Sequence, residues 1–335
     1  MLLRVERRKA DETLSRLSAL GLLDRKRGIS RGKVWIDFPV TGRPPPELGE
    51  IIEGEPELAP EQVPPFDRAV KAARIPPELK RFLPDKWERL GKVLVLKLPK
   101  KLQEYKTEIA RAYAEALGVE TVLQDISGSR GVLREPTTEL LLGTKTETVH
   151  IENYIRYSFD AARIMFSSGN MAERIRMGET VRPGETVVDM FAGIGYFTLQ
   201  MAVHGRPKAI FACELNPVSY QYLVQNIKLN RAGRVVTPLE GDCRLVAPEG
   251  IADRVVMGHF DAVEFVPKAL KVLRPEGGIL HVHCLCRKDR MPEDAWAKVR
   301  KKTDDAGRSC RLLLFEKVKS FKPRVWHIVL DVEIR

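Results

Sequence analysis

The stretch TVVDMFAGIGYF (186–197) constrains this chain more than any other. An apolar run closes on Asp189, two glycines (Gly193 and Gly195) follow at once, and an apolar helical pattern then runs to about Val203. A strand that turns this sharply into a helix needs residues able to take positive φ and to let backbone or ligand come close, which is what glycine supplies. The same alternation continues downstream. KAIFACE (208–214) reads as a strand and Val218–Asn230 as a helix, and VVTPLEGD (235–242), ADRVVMG (252–258) and GILHVHC (278–284) read as further strands. RLLLFEKV (311–318) and RVWHIVLDVEI (324–334) close the series as an antiparallel pair. Seven strands in strand–helix alternation signal a doubly wound α/β domain over 171–335.

Upstream the pattern changes twice. Residues 66–170 read as an α+β domain, with KVLVLKLP (92–99) as a strand, Tyr105–Leu117 as a helix stopped by Gly118, and TETVHIENYIRYSFD (146–160) as one or two strands. Residues 1–40 read as a small basic module with ten Lys/Arg against five Asp/Glu, containing an amphipathic helix from Ala10 and the strand VWIDFPV (34–40). Residues 41–65, with seven prolines and six glutamates, read as a solvated linker. The 335 residues carry a formal charge of +11, which suits a polyanionic partner. No apolar run approaches the roughly 18–20 residues of a membrane span, and the first residues are too charged for a secretory signal. Five cysteines in this length do not form a disulfide framework, so a reducing cytoplasm is expected.

Acidic residues end three successive strands: Asp189, Glu214 and Asp242. An acid about twenty positions past the glycines is placed to accept both ribose hydroxyls, and Asp242 with the Cys243 backbone falls near an adenine edge. A dinucleotide would want a third small residue where Thr198 stands. An adenosyl ligand without phosphate makes no such demand, so S-adenosylmethionine is favoured over NAD.

DMFAGIGYF with ACELNPVSYQYLVQNIKLN (212–230), and FSSGNMAERIRM (166–177) before them, resemble the archaeal and eukaryotic tRNA guanine-37 N1-methyltransferases and their wybutosine-pathway relatives, the aminocarboxypropyltransferases. The resemblance runs along almost the whole chain. It implies a Rossmann-like class I methyltransferase sheet, a middle domain that contacts RNA and a small tRNA-binding N-terminal module. Two departures separate the branches. The N1-methyltransferases carry Phe-Ser-Pro-Arg-Leu where this chain has Phe166-Ser167-Ser168-Gly169-Asn170, and Asn-Leu-Pro where it has Gly258-His259-Phe260. Both positions, and less distinctively GVLREP–LLLG–T (131–144), are similar to the archaeal aminocarboxypropyltransferase branch. That branch implies transfer of the 3-amino-3-carboxypropyl group to C7 of 4-demethylwyosine at position 37 of tRNA-Phe, with methylthioadenosine released. It further implies that Ser167 and Arg174 hold the methionine arm, Glu214 the ribose, and Asp242 with Cys243 the adenine, beside Asp189, Gly193 and Gly195. Read without the resemblance, Arg174 is a solvated helix charge and Ser167 a helix N-cap. A divergent N1-methyltransferase and a non-catalytic RNA-binding protein stay open as alternatives. The oligomeric state is open too, a monomer included.

His281, His283, Cys284 and Cys286 superficially resemble metal ligands. On a strand the two histidines share one face and the two cysteines the other, so no metal is expected. His259 follows a strand at the mouth of the cleft, where it is a packing residue or a catalytic candidate that shapes the base pocket or shuttles a proton. Lys92, Lys97, Lys100, Lys101 and Lys106, and above all Lys317, Lys319, Lys322 and Arg324 around Phe321, are candidate RNA contacts.

Overall fold

The computed structural model describes residues 1–56, 63–130 and 135–335, with the backbone alone at 127–130 and 135. Its packing divides into two units, Met1–Asp67 and Arg68–Arg335.

In the first unit, β1 (Leu2–Glu6), β2 (Ser30–Arg31), β3 (Trp35–Pro39) and β4 (Glu50–Ile52) form a sheet in the order β2-β3-β1-β4. The helix Ala10–Ala19 stops before Gly21, and Leu3, Val5, Leu17 and Phe38 form its core. This revises the expected linker at 41–65. Leu48 is buried in that core, and β4 pairs with β1 through Leu2↔Ile52 and Leu3↔Ile51. A strand edge can be completed by backbone hydrogen bonds whatever the side chains, so composition was a poor guide here. Residues 57–62 of the proline- and glutamate-rich stretch lie outside the described residues.

In the second unit, β5 (Trp87–Leu90), β6 (Val93–Leu96), β7 (Thr121–Arg130) and β8 (Glu135–Leu142) form a mixed sheet in sequence order. The helix Lys106–Leu117 ends on Gly118 at φ +63°, the left-handed stop read from the sequence. Next comes the hairpin of β9 (Glu147–Glu152) and β10 (Ile155–Asp160), turned by Asn153 and Tyr154 at φ +48° and +65°. Ile155, Tyr157 and Phe159 bury their side chains in one cluster with Leu90 and Leu123 on one side and Met177, Val187 and Leu199 on the other. The expected division at residue 170 is therefore no break in packing, because one core runs through both parts.

The large sheet comprises β11 (Thr186–Asp189), β12 (Ala209–Glu214), β13 (Val236–Glu240), β14 (Arg254–Met257), β15 (Gly278–Arg287), β16 (Cys310–Lys322) and β17 (Val325–Ile334). Their order is β13-β12-β11-β14-β15-β17-β16. The first five are parallel, while β17 runs antiparallel to both β15 and β16, as the sequence pattern leads one to expect. Strand order reverses between β11 and β14. Ligands bind at such a switch point, beyond the carboxyl ends of the strands.

Candidate S-adenosylmethionine site

A cleft opens at this switch point, lined by Phe191, Gly193, Glu214, Asp242, Cys243 and Gly258 among others. Gly193 stands at φ +58°, and a Cβ there would come within 2.5 Å of the Tyr196 ring. Any larger residue would be strained in backbone and crowded in space. Its N–H donates to Glu214 Oε2 at 2.7 Å, while Asn216 N–H donates to Oε1 at 2.8 Å. Burial pushes the Glu214 carboxyl up, and these backbone bonds pull against it. The Gly193 N–H is thus taken up by the Glu214 carboxylate rather than offered to a pyrophosphate. An acid that accepts hydroxyls fits a ribose and repels a phosphate.

Asp189 sits behind this wall. It is fully buried, accepts from Thr198 Oγ1 at 2.7 Å and from Phe191 N–H at 3.2 Å, and burial pushes its carboxyl up to about 6. It braces the turn from beneath, and Thr198 at the third small-residue position of a dinucleotide site is its partner. Gly195 likewise packs inward, against Leu199 and Leu223. Asp242 caps the short helix Cys243–Val246 through Arg244 N–H, and the Arg244 guanidinium hydrogen-bonded to it holds its carboxyl low. Cys243 is buried at the cleft wall.

The opposite end of the cleft is built by the segment before the sheet. Arg174 lines it, 2% exposed, with its guanidinium paired in bidentate fashion to Glu152 at 2.6 and 2.5 Å and its Nη1–H donating to the Ser167 carbonyl at 3.0 Å. The solvated-helix reading of Arg174 does not hold. Glu152 shares its charge, and together they fix the backbone of Ser167. Ser167 also lines the cleft, and its hydroxyl makes no capping bond but accepts from Lys319 Nζ at 2.7 Å. His259 stacks on Phe191 with centroids 5.2 Å apart, and its Nδ1 accepts from Asp261 N–H.

A Cβ at Gly258 would lie 2.7 Å from Phe197 Cε2. The glycine that replaces the asparagine of Asn-Leu-Pro thus leaves room for an aromatic ring where a polar side chain would otherwise stand.

Beneath the cleft lies a buried polar chain that sequence reasoning did not assemble. His281 Nε2 stands 2.6 Å from Arg254 Nη1, and its Nδ1 2.6 Å from Asp331 Oδ1. An arginine can only donate, so Nε2 accepts and the histidine is the neutral Nδ1–H tautomer. Arg176 bridges Asp331 and Glu173, and His283 Nδ1 lies 3.0 Å from His327 Nε2. Cys284 and Cys286 pack in the hydrophobic cluster on the other face, and among the described residues no group of three or more His, Cys, Asp or Glu side chains is placed to hold a metal ion. Lys319 and His327 bring the β16–β17 hairpin to the cleft, and Phe321 stands edge-on to the cleft residue Phe260 at 5.0 Å. The 131–134 part of the GVLREP signature lies outside the described residues. Among the described residues no helix is long and apolar enough to cross a membrane.

A doubly wound sheet with acid-ended strands around a glycine turn defines a nucleoside-binding domain. The TRM5/TYW2 methyltransferase domain matches residues 148–313 and the TYW2 N-terminal domain residues 68–146. The tRNA(Phe) (4-demethylwyosine(37)-C(7)) aminocarboxypropyltransferase of Pyrococcus horikoshii is 42% identical over 268 residues, 80% of this chain and 95% of its own length. The crystal structure of P. horikoshii TYW2 in complex with MeSAdo matches with a TM-score of 0.71 and 40% identity, over 80% of this chain and 97% of that one. The crystal structure of Trm5b from Pyrococcus abyssi matches with a TM-score of 0.73 and 29% identity, over 99% of this chain and 98% of that one. This chain belongs to the TRM5/TYW2 family of S-adenosylmethionine-dependent tRNA-modifying transferases.

Proposed function

We infer that this chain transfers the 3-amino-3-carboxypropyl group of S-adenosylmethionine to C7 of 4-demethylwyosine at position 37 of tRNA-Phe, in the cytoplasm. The observation that carries the reading is the 42% identity with an aminocarboxypropyltransferase over nearly that protein's whole length. Gly258 beside Phe197 supports it from within the site, because the polar element of the N1-methyltransferases is absent there.

The sulfonium activates its methyl group, its γ-carbon and its ribose C5′, and the carbon held in line with the nucleophile at about 3–3.5 Å reacts. Here C7 of the electron-rich tricyclic base attacks the γ-carbon. The γ-carbon–sulfur bond breaks with its electron pair going to sulfur, methylthioadenosine leaves, and C7 loses its proton as the ring regains aromaticity. The protein's task is aim. Glu214 holds the ribose, Asp242 and Cys243 the adenine, and Ser167 with Arg174 the end of the cleft that receives the methionine arm. Asp189, Gly193 and Gly195 set the turn between them. The exposed Lys317, Lys322 and Phe321 of β16 meet the anticodon loop, where unpaired bases can stack on an aromatic ring.

The test is double labelling, with S-adenosylmethionine labelled on the carboxyl carbon in one reaction and on the methyl in another, using tRNA-Phe that already carries 4-demethylwyosine. Carboxyl label alone should enter the tRNA. Methyl label alone would refute the reading in favour of N1 methylation, and no label from either would favour a binding protein.

A further inference from the structure

The carboxylate of the methionine arm needs a counter-charge, and the cleft's buried arginine is not a full one. Glu152 takes two of Arg174's donors in a bidentate pair whose partners are 2% and 1% exposed. A pair so closely matched is close to neutral as a unit, and its third bond goes to the Ser167 carbonyl.

The second cation at that end is Lys319. Three features bring it there. The register of β16 against β17 shifts between Lys317 and Lys319, an irregularity of the kind that re-aims a side chain, and places Lys319 opposite His327, which also lines the cleft. Its Nζ donates to Ser167 Oγ at 2.7 Å, at the foot of the arm's pocket. Gly169 makes room for it, since a Cβ at that position would lie 3.2 Å from Lys319 Cδ. Gly169, where the N1-methyltransferases carry an arginine, thus admits an ammonium from a distant strand.

We propose that Lys319 binds the α-carboxylate of the S-adenosylmethionine arm, with Ser167 between them, and so holds the γ-carbon rather than the methyl toward the base. This rests on the aminocarboxypropyl reading above, in which the transferred carbon belongs to the arm and must be held in line with the base. A charge-assisted ammonium–carboxylate bond at a half-buried site is about twice as strong as a neutral one, enough to tether the far end of a flexible chain.

The experiment is calorimetry on the full chain without tRNA, titrating S-adenosylmethionine and methylthioadenosine into the wild type, Lys319→Met and Lys319→Arg. Lys319→Met should weaken S-adenosylmethionine by about tenfold to a hundredfold, as expected for a lost charge-assisted bond. Methylthioadenosine, which has no arm, should bind as to the wild type, and Lys319→Arg should recover most of the loss. Equal weakening of both ligands would overturn the proposal in favour of a structural lysine. Unchanged binding of both would overturn it too, and if tRNA binding fell at the same time the lysine would be a phosphate contact. The wild-type label transfer reports separately on the function itself, so failure of the lysine assignment and failure of the reaction assignment are distinct results.

Discussion

Glu214→Gln tests the proposed ribose contact with almost no change of shape. The carboxylate now accepts two backbone N–H groups, Gly193 at 2.7 Å and Asn216 at 2.8 Å, one on each oxygen. A glutamine has one oxygen, so its amide nitrogen must face one of those two donors. One hydrogen bond to a charged acceptor is lost and one N–H is left unsatisfied beside the glycine turn. Such a bond contributes about 1.5–3 kcal/mol, so unfolding in urea should become easier by about that amount. On the proposed role of Glu214 the ribose loses its charged acceptor as well, and binding should weaken by about tenfold or more. S-adenosylmethionine and methylthioadenosine share the ribose, so calorimetry should show the same fold-loss for both. That equality is the contrast with Lys319→Met. Wild-type affinity for both ligands, or a loss confined to S-adenosylmethionine, would refute the assignment of Glu214 to the ribose.

Arg174→Met strands the buried Glu152 carboxylate and should cost about 3–5 kcal/mol in chemical denaturation, much of which the double variant Arg174→Met/Glu152→Leu should recover; a single variant as stable as the wild type would contradict the burial of this pair. Gly258→Asn restores the methyltransferase residue but drives a Cβ to 2.7 Å from Phe197, so it should destabilise by about 1–3 kcal/mol in the same assay without conferring methyl transfer to guanosine-37 tRNA. Stability should also fall with acid. Burial pushes the His281 imidazole down, so below about pH 6.5 the unfolded chain takes a proton the folded one refuses. Burial would raise the Asp331 carboxyl, but the His281 and Arg176 hydrogen bonds outweigh it and hold the group far below the usual carboxylate range. Its contribution is full above about pH 4 and is lost as the pH falls further, so Asp331→Asn should flatten the urea stability profile below about pH 4. Asp189 runs the other way, since its raised carboxyl costs stability at neutral pH and is relieved as the pH falls below about 6. An unchanged acid limb in Asp331→Asn would contradict the network.

What the sequence disclosed and what it hid follow from range. The seven strands, the Gly118 stop and the separation of His281 and His283 from Cys284 and Cys286 are periodicities within a few residues, and they read directly. Glu214 was legible as a strand-ending acid, and its bond to Gly193 reaches only twenty-one residues. The Glu152–Arg174 pair was hidden because it joins a hairpin to a helix, although a glutamate at an inward position of an alternating strand is itself a sign that a buried cation must exist. Lys319 reaches Ser167 across 152 residues, and no spacing rule reaches so far. The same reasoning explains the N-terminal sheet. β4 lies inside a stretch whose prolines and glutamates speak for solvent, and only pairing with β1 makes it a strand.

The nucleoside released from the co-substrate tests the central claim most directly. Quenching a reaction with 4-demethylwyosine-bearing tRNA-Phe and resolving its small molecules by liquid chromatography should show methylthioadenosine rising in step with the modified base. S-adenosylhomocysteine rising in its place would mean that the cleft presents the methyl group, and would contradict the account.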